Sequence, residues 1–597
     1  MGKPYLQCHR RFKNGKDHCY WSIAEKVRTS GGRWVQRPIL YLGEINDSQR
    51  ASWTKVIEVF DPVKEKTEEL ALYPENSSIP EHATDYGVQV RLSEFVLRRP
   101  RQWGACWVAS VLWERLRMDD FWQDRLPDSR EGTNWRHVLQ TLVSYRLISP
   151  GSEWRLHRHW FQNSAMGDLL GEDFRLAQKD NLYRCLDKLL AHRADLFRHL
   201  RRRWEDLFGS KFEVLLYDLT STYFESSPPF PEQDKRKFGY SRDKRPDCVQ
   251  GVIALVVTPE GFPLAYEVMA GNTADKTTLR EFLARIEELH GKAQRVWVMD
   301  RGIPTEEVLA EMRAADPPIH YLVGTPKGRL ARYEDQLLEL PWQKVREGVE
   351  VKLLPQAEEL YVLAQSRDRV NKERAMRRRQ LKGLWKRLKE LAGMKLKRDD
   401  LLLKLGAARQ LWPSAWRLVE IQIPKAREPV NRRTFGFSLR KNKLRQVRRR
   451  EGRYLLRTNL KGEDPEKLWT MYVQLTQVEE AFKDLKGDLN LRPIFHQLER
   501  RIEAHIFVAF LAYCLHVTLR GQLRGLAPGL TPRAVLEKFA SVQMIDVHFP
   551  TTDGRELIFQ RYTQPEKDLK LLLAQLGWDL PPQSPPRITA KGELLED

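Results

Sequence analysis

The spacing of apolar positions changes along this chain, and the changes mark its regions. Tyr20 to Arg28 and Arg33 to Leu42 flank Ser30-Gly31-Gly32, which predicts an N-terminal β-hairpin carrying basic and aromatic residues. From about Gly104 to Leu207 the spacing is helical, as in Trp107, Val111 and Leu112 or Val138, Leu142 and Tyr145, with a turn at Ser149-Pro150-Gly151. Then buried-strand patterns take over. Val214-Leu215-Leu216-Tyr217-Asp218 and Val296-Trp297-Val298-Met299-Asp300 are short apolar runs that each stop at an acid followed by turn-capable residues. Between them, Pro259-Glu260-Gly261 joins Val249 to Val257 and Phe262 to Met269 as a hairpin. Leu279, Phe282, Leu283, Ile286 and Leu289 then line one face of a helix. A helix from Pro304 to Ala315, with proline in its first turn, and a strand from Ile319 to Val323 complete the run.

The resulting order, β-β-β-α-β-α-β with acids ending the first and fourth strands, is that expected of a ribonuclease-H-like core. About 140 residues intervene before a closing helix. Within them, Arg367 to Lys404 is helical and very basic, and Trp416 to Leu460 alternates like strands, so the segment reads as an inserted subdomain. A long helix begins at Asp464-Pro465, a cap and first-turn pair, and ends before Arg492-Pro493. The fold class expected is therefore α/β: a ribonuclease-H-like catalytic core plus closing helix, interrupted by an insertion and preceded by a β-hairpin and a helical region. The expected division is a small basic β-rich region (1–85), a helical, DNA-binding candidate (86–209), the first part of the core (210–330), the insertion (331–463), the closing helices (464–525), and a C-terminal helical region with a disordered, proline-rich tail (526–597).

At 597 residues the chain is too long for one core. Its 101 Lys and Arg against 80 Asp and Glu give a net charge of +21, which a polyanion such as nucleic acid would neutralise. The six cysteines show no CxxC or Cys/His finger spacing, so neither a disulfide scaffold nor structural zinc is indicated, and a reducing cytoplasm is the expected setting. No signal-peptide core follows Met1. The most apolar window, Ile506 to Leu519, falls short of the ~20 residues that span a bilayer and reads as a buried helix, so no membrane partner is expected.

If the strands ending in Asp218 and Asp300 are neighbours in one sheet, their carboxylates emerge together, and two like charges so placed call for cations between them. That is the layout of a magnesium-dependent phosphoryl-transfer site. A third acid comes from the closing helix. At ~100° per residue, Leu475, Val478, Phe482, Leu485 and Leu489 form a buried stripe. Tyr472, Glu479 and Lys486, spaced by seven, run along its border, whereas Glu480 falls on the far side.

These residues resemble the DDE transposases of bacterial insertion sequences, specifically the cut-and-paste group with a Y-x2-R-x3-E-x6-K signature. The stretch from Tyr472 to Lys486 reproduces its tyrosine, glutamate (Glu479) and lysine, while the arginine position holds Leu475. Similarity extends through Tyr217 to Thr222, Gly239-Tyr240-Ser241 to Asp247, Gly271-Asn272-Thr273, Asp300-Arg301-Gly302, Tyr454 to Asn459 and Arg492 to His496. The resemblance implies that Asp218, Asp300 and Glu479 are the catalytic acids and hold two Mg2+ ions, with Mn2+ as a substitute. It further implies that Tyr472 and Lys486, with the neighbouring Lys483, contact DNA phosphates, the alternative for Lys486 being a lysine snorkelling beside the core. The partners implied are double-stranded DNA, as terminal inverted repeats and target, and a second copy on that DNA, in a bacterial, nucleoid-associated cytoplasmic setting. Trp412 and Trp416 suit core packing better than base stacking, and His496 and His505 suit structural hydrogen bonding better than metal ligation. The competing readings are a structure-specific nuclease sharing the fold and a catalytically inactive DNA-binding descendant.

Overall fold

A computed structural model describes residues 5–13, 16–28, 34–44, 55–61, 66–75, 79, 85, 87–325, 332–333, 336–337, 339–426, 428–431 and 433–589. The chain is a mixed α/β protein built on a nine-stranded sheet. Numbered within that sheet in chain order, its first strands are β1 (Val214–Phe224), β2 (Val249–Val257) and β3 (Pro263–Ala270). Helix α1 (Leu279–His290), β4 (Val296–Met299), α2 (Glu306–Ala314) and β5 (His320–Gly324) follow. β2 is buried along its whole length, the continuous apolar run that a central strand covered on both faces requires. Gly261, at φ +92°, closes the β2–β3 hairpin in the left-handed region that favours glycine.

The insertion is not wholly separate from this sheet. Strands β6 (Gln343–Arg346), β7 (Val349–Pro355), β8 (Leu360–Ser366) and β9 (Arg453–Thr458) extend it, giving the order β3-β2-β1-β4-β5-β9-β8-β7-β6. β1, β4 and β5 run parallel; every other pairing is antiparallel. The insertion carries two small cores of its own, one of Leu337, Leu354, Tyr361, Leu363 and Leu455 beside its strands and one in its middle. There the helix α3 (Arg367–Gly393) buries Leu384, Leu388 and Leu391 against Leu401, Leu405 and Phe435, with Trp412 and Trp416 packed at the margin. Most of its basic residues project outward, but Arg377 pairs with buried Glu451. The segment expected as alternating strands also contains a helix, Lys441–Arg450, where six of ten residues are Lys or Arg and no side chain is buried.

The closing helix is two helices. α4 (Pro465–Val473) and α5 (Leu475–Lys486) meet at Gln474, whose carbonyl accepts from Gln477 N–H at 2.8 Å, a three-residue spacing that tightens the chain there. The apolar helix α6 (Glu499–Leu523) is buried on nearly all sides, as a helix apolar all round must be in a folded core, and 94% of its most apolar window is enclosed.

Two expectations for the ends of the chain need correction. The region from residue 86 is not helical at first, since Gly87–Val90 and Val96–Gln102 are strands. Likewise the C-terminal region holds a hairpin, Gln543–Pro550 with Glu556–Tyr562, besides its helices. These strands join Lys55–Asp61, Lys66–Pro74 and Arg587–Ile588 in one seven-stranded sheet, so both ends of the chain meet. Pro581 to Pro586, expected to be disordered, lead into that sheet, with the Pro586 carbonyl accepting from Phe60 N–H. The remaining tail, from 590, lies outside the described residues. The expected N-terminal hairpin is a three-stranded sheet, Tyr5–Lys13, Lys16–Arg28 and Trp34–Glu44, and its 29–33 turn is likewise outside them.

One buried ion network ties one edge of the seven-stranded sheet, where Val96–Gln102 pairs with Gln543–Pro550, to the helical region. Arg101, 1% exposed, donates to Asp168 at 2.6 and 2.8 Å and to Asp546 at 2.9 Å. Removing one partner of a buried network leaves uncompensated charge, so Arg101→Ala lowers unfolding free energy by roughly 3–5 kcal/mol. Denaturant titration checks this; a loss below about 1 kcal/mol, the scale of an exposed pair, contradicts it.

Candidate active site

Parallel pairing of β1 with β4 aligns Tyr217 with Met299, so Asp218 and Asp300 occupy the next position on adjacent strands. Asp300 does lie just past the end of β4. Asp218, expected at a strand exit, instead lies inside β1, which continues to Phe224 along β2 after β4 has ended. The alternation of β1 explains its orientation. Tyr217 turns under α1, its hydroxyl bonded to Thr278 Oγ1 at 2.7 Å, so Asp218 faces the opposite side, where α5 packs across β1 and β2.

Glu479 projects from α5 over the same spot. Asp218, Asp300 and Glu479 all line one cavity of about 440 Å³, together with Tyr472 and Leu475. Glu480 turns away to Arg520 at 3.4 Å, as the helical projection requires. Gly324, at the end of β5, permits the close approach. A Cβ there would stand 2.9 Å from the Tyr472 hydroxyl and 3.2 Å from Asp300 Oδ1. The Asp300 carboxylate also accepts from Arg301 N–H at 2.7 Å.

The electrostatics follow from the geometry. Burial pushes the Asp218 carboxyl up to about 6, and the charges of Asp300 and Glu479 push the same way, against the Leu219 N–H and Arg242. Burial, followed by the Asp300 charge, likewise raises the Tyr472 hydroxyl. The cavity wall is basic: Arg301, Arg346, Arg369 and Arg453 line it. Arg301 and Arg346 have no ion-pair partner among the described residues. Arg369 pairs with Glu373 at 3.0 Å and lies over the Tyr454 ring at 5.8 Å.

The sequence-selected residues divide accordingly. The three acids and Tyr472 come together, and Leu475 adds an apolar patch where the signature carries arginine. Lys486 does not join them. It ion-pairs with Asp243 at 3.1 Å, an acid that also pairs with Arg492. Lys483 is exposed beside Asp484 and outside the cavity lining. Ser221 Oγ accepts from Arg242 N–H at 3.0 Å, holding the β1–β2 connection near Asp218. His496 and His505 lie elsewhere, hydrogen-bonded to buried Glu153 at 3.2 and 3.3 Å. Those three, and separately Asp484, Asp488 and His516, have ligand-type atoms within 4.8 Å of one another, but Arg146 and Arg520 stand among them as counter-charges. Sequence reasoning missed Arg346, Arg369 and Arg453. Nothing local marks them, because their position comes from insertion strands joining the sheet, which carry Arg346 and Arg453 and set the start of α3 that carries Arg369.

The cavity's all-oxygen acid set suits a hard divalent cation, which would compensate the burial of the Asp218 charge and its repulsion by Asp300 and Glu479. Because its folded pKa lies above the ordinary 3.8, Asp218 opposes folding increasingly as pH rises from about 4 to about 6, and fully above that. Asp218→Asn therefore stabilises the metal-free protein at pH 7.5 by about 2–3 kcal/mol, a difference that vanishes below pH ~4. Thermal unfolding against pH, with and without Mg2+, is the check. Mg2+ raises the melting temperature of the wild type more than that of Asp218→Asn.

The family model of the transposase DDE domain matches residues 209–515, just over half of the chain. No curated protein matches. Among solved structures, the chain is similar to a piggyBac transposase in a synaptic complex with hairpin DNA, at 8% identity and a TM-score of 0.34 over 72% of this chain and 79% of that one. The matched span runs from the residues just before β1 to the middle of α6, enclosing all three carboxylates and the insertion, and the chain belongs to the DDE-domain transposase family.

Proposed function

We propose that this transposase cuts DNA at the ends of a bacterial insertion sequence and joins the freed ends to target DNA, using Asp218, Asp300 and Glu479 in a ribonuclease-H-like core. The observation that carries the reading is the convergence of these three carboxylates, from two adjacent parallel strands and a crossing helix, in one arginine-walled cavity. Such a cavity has acids at its base for cations and guanidinium groups on its wall for phosphate oxygens.

The three acids would hold two Mg2+ ions, which when bound lower the pKa of an attacking water or 3′-hydroxyl and offset charge developing on the phosphate. The protein's own groups position the strand. Arg301 and Arg346 are free to take non-bridging phosphate oxygens, and Tyr472 can donate its hydroxyl to the strand, because burial keeps that group protonated. In cleavage, a water oxygen bonds to phosphorus as the bond to the 3′-oxygen breaks, leaving a 3′-hydroxyl and a 5′-phosphate. In joining, that 3′-hydroxyl displaces a 3′-oxygen of the target strand. No covalent bond to the protein is needed in either step. Lys486, held by Asp243, serves the site by fixing the end of α5, and would meet phosphate only if that pair opened. Lys483, exposed on the same helix, is available to DNA approaching from outside. Two ends must be handled together, so the working form on DNA is a homodimer, in a nucleoid-associated cytoplasmic setting.

Incubating the protein with Mg2+ and a labelled duplex carrying the inverted repeat beside its gene tests the reading. Cleavage at the repeat boundary and joining to a target plasmid are expected, with Asp300→Ala losing at least ~10²-fold in cleavage while still binding. Cutting that ignores the repeat would mean a nuclease, and repeat binding without metal-dependent cutting an inactive descendant.

A further inference from the structure

The connection between β1 and β2 is clamped at many points yet displays two aromatic rings to water. Lys237 pairs through its backbone with Gln250, at 3.2 and 2.7 Å, and the Lys235 carbonyl accepts from Gly271 N–H at 2.9 Å. Gly239 passes so close to β3's end that a Cβ there would stand 1.8 Å from the Gly271 carbonyl oxygen, so no other residue fits. Buried Arg236 pairs with Asp234 and donates to the Gln497 carbonyl at 3.0 Å. Arg242 holds Ser221 with its N–H and Asp275 with its guanidinium at 2.7 Å, and Asp243 takes Lys486 and Arg492.

On this frame Phe238 is 57% exposed and Tyr240 80% exposed. Neither makes a ring contact or side-chain hydrogen bond among the described residues. Isolated exposed apolar side chains are ordinary, but a fixed segment offering two rings either side of an obligatory glycine, with exposed Lys244 beside them, Arg242 and Arg245 held by Asp275 and by Glu225 and Asp247, and Lys237 bonded to the Glu232 carbonyl, is a different arrangement. Cations follow a phosphate backbone, and aromatic faces accept bases without regard to sequence. The segment also borders the strand that carries the acid site: Ser221, which anchors Arg242 from the face of β1 opposite Asp218, is three residues beyond that acid, and the Arg242 charge acts on the Asp218 carboxyl.

We propose that Phe238 and Tyr240 form a stacking platform for unpaired nucleotides of the DNA strand entering the acid cavity. The proposal rests on the reading that the cavity acts on DNA. Its ligand is a strand with at least one or two unstacked bases: Lys244 and its neighbours guide the phosphates, and the rings replace the stacking that the bases lose on leaving the duplex.

The test uses the full-length protein and two duplexes, one blunt and one with a three-nucleotide overhang containing 2-aminopurine, whose fluorescence falls when it stacks. The wild type should bind the overhang duplex more tightly than the blunt one and change the probe's fluorescence. Phe238→Ala with Tyr240→Ala, and separately Phe238→Leu with Tyr240→Leu, should weaken overhang binding on the order of 10- to 100-fold. Both should abolish the fluorescence change and leave blunt-duplex binding and its salt dependence unaltered. Equal binding and fluorescence in a variant with wild-type melting behaviour overturns the proposal, as does a wild type without preference for the overhang. Mg2+-dependent cleavage measured on the same samples separates the two readings. A wild type that stacks the probe but never cuts contradicts the catalytic assignment and leaves the platform standing, whereas one that cuts with stacking-insensitive binding refutes the platform alone.

Discussion

The pairing of parallel strands β1 and β4, ~4.8 Å apart, sets Asp218 beside Asp300, and burial, with the charges of Asp300 and Glu479 adding a repulsion to it, disfavours the Asp218 carboxylate. Folding alone does not remove the repulsion. A proton can, near pH 6, and so can cations held between the acids. The rest of the core is arranged around that strained pair: Gly324 makes room beside Asp300, α5 brings a third acid, and Arg242 moderates the charge from the β1–β2 connection.

Bringing Glu479 to the pair requires the rotation of α5 to be fixed, because neighbouring positions on a helix point ~100° apart. Arg520 on α6 holds Glu480 and Asp484 at 3.4 Å on one side of the helix. Lys486 reaches Asp243 at its C-terminal end, and Leu475, Val478, Phe482 and Leu485 are buried beneath. With those contacts made, Glu479 is left exposed toward the cavity. The break at Gln474 separates this helix from α4, which carries Tyr472, so the acid and the tyrosine are aimed by two elements.

Much of this was legible in the sequence, and for local reasons. Continuous apolar runs marked β1, β2 and β4, a Pro-Glu-Gly turn marked the β2–β3 hairpin, and helical periodicity chose Glu479 over Glu480. What escaped was non-local or cooperative. Gln474 interrupts a pattern that reads as continuous. Asp243 lies far along the chain from the lysine it neutralises, and only pairing across the sheet reveals that strands of the insertion carry arginines to the cavity. The strands from Lys55 to Val90 join that sheet through Arg587–Ile588, two residues with no periodicity to read.

Everything proposed for the cavity requires Asp218, Asp300 and Glu479 to constitute a divalent-cation site together. Anomalous diffraction from crystals soaked in Mn2+ tests it most directly, since each bound ion gives its own peak. Peaks are expected between the carboxylates of Asp218, Asp300 and Glu479. Manganese found instead among Glu153, His496 and His505, with none at the acid cavity, would contradict it.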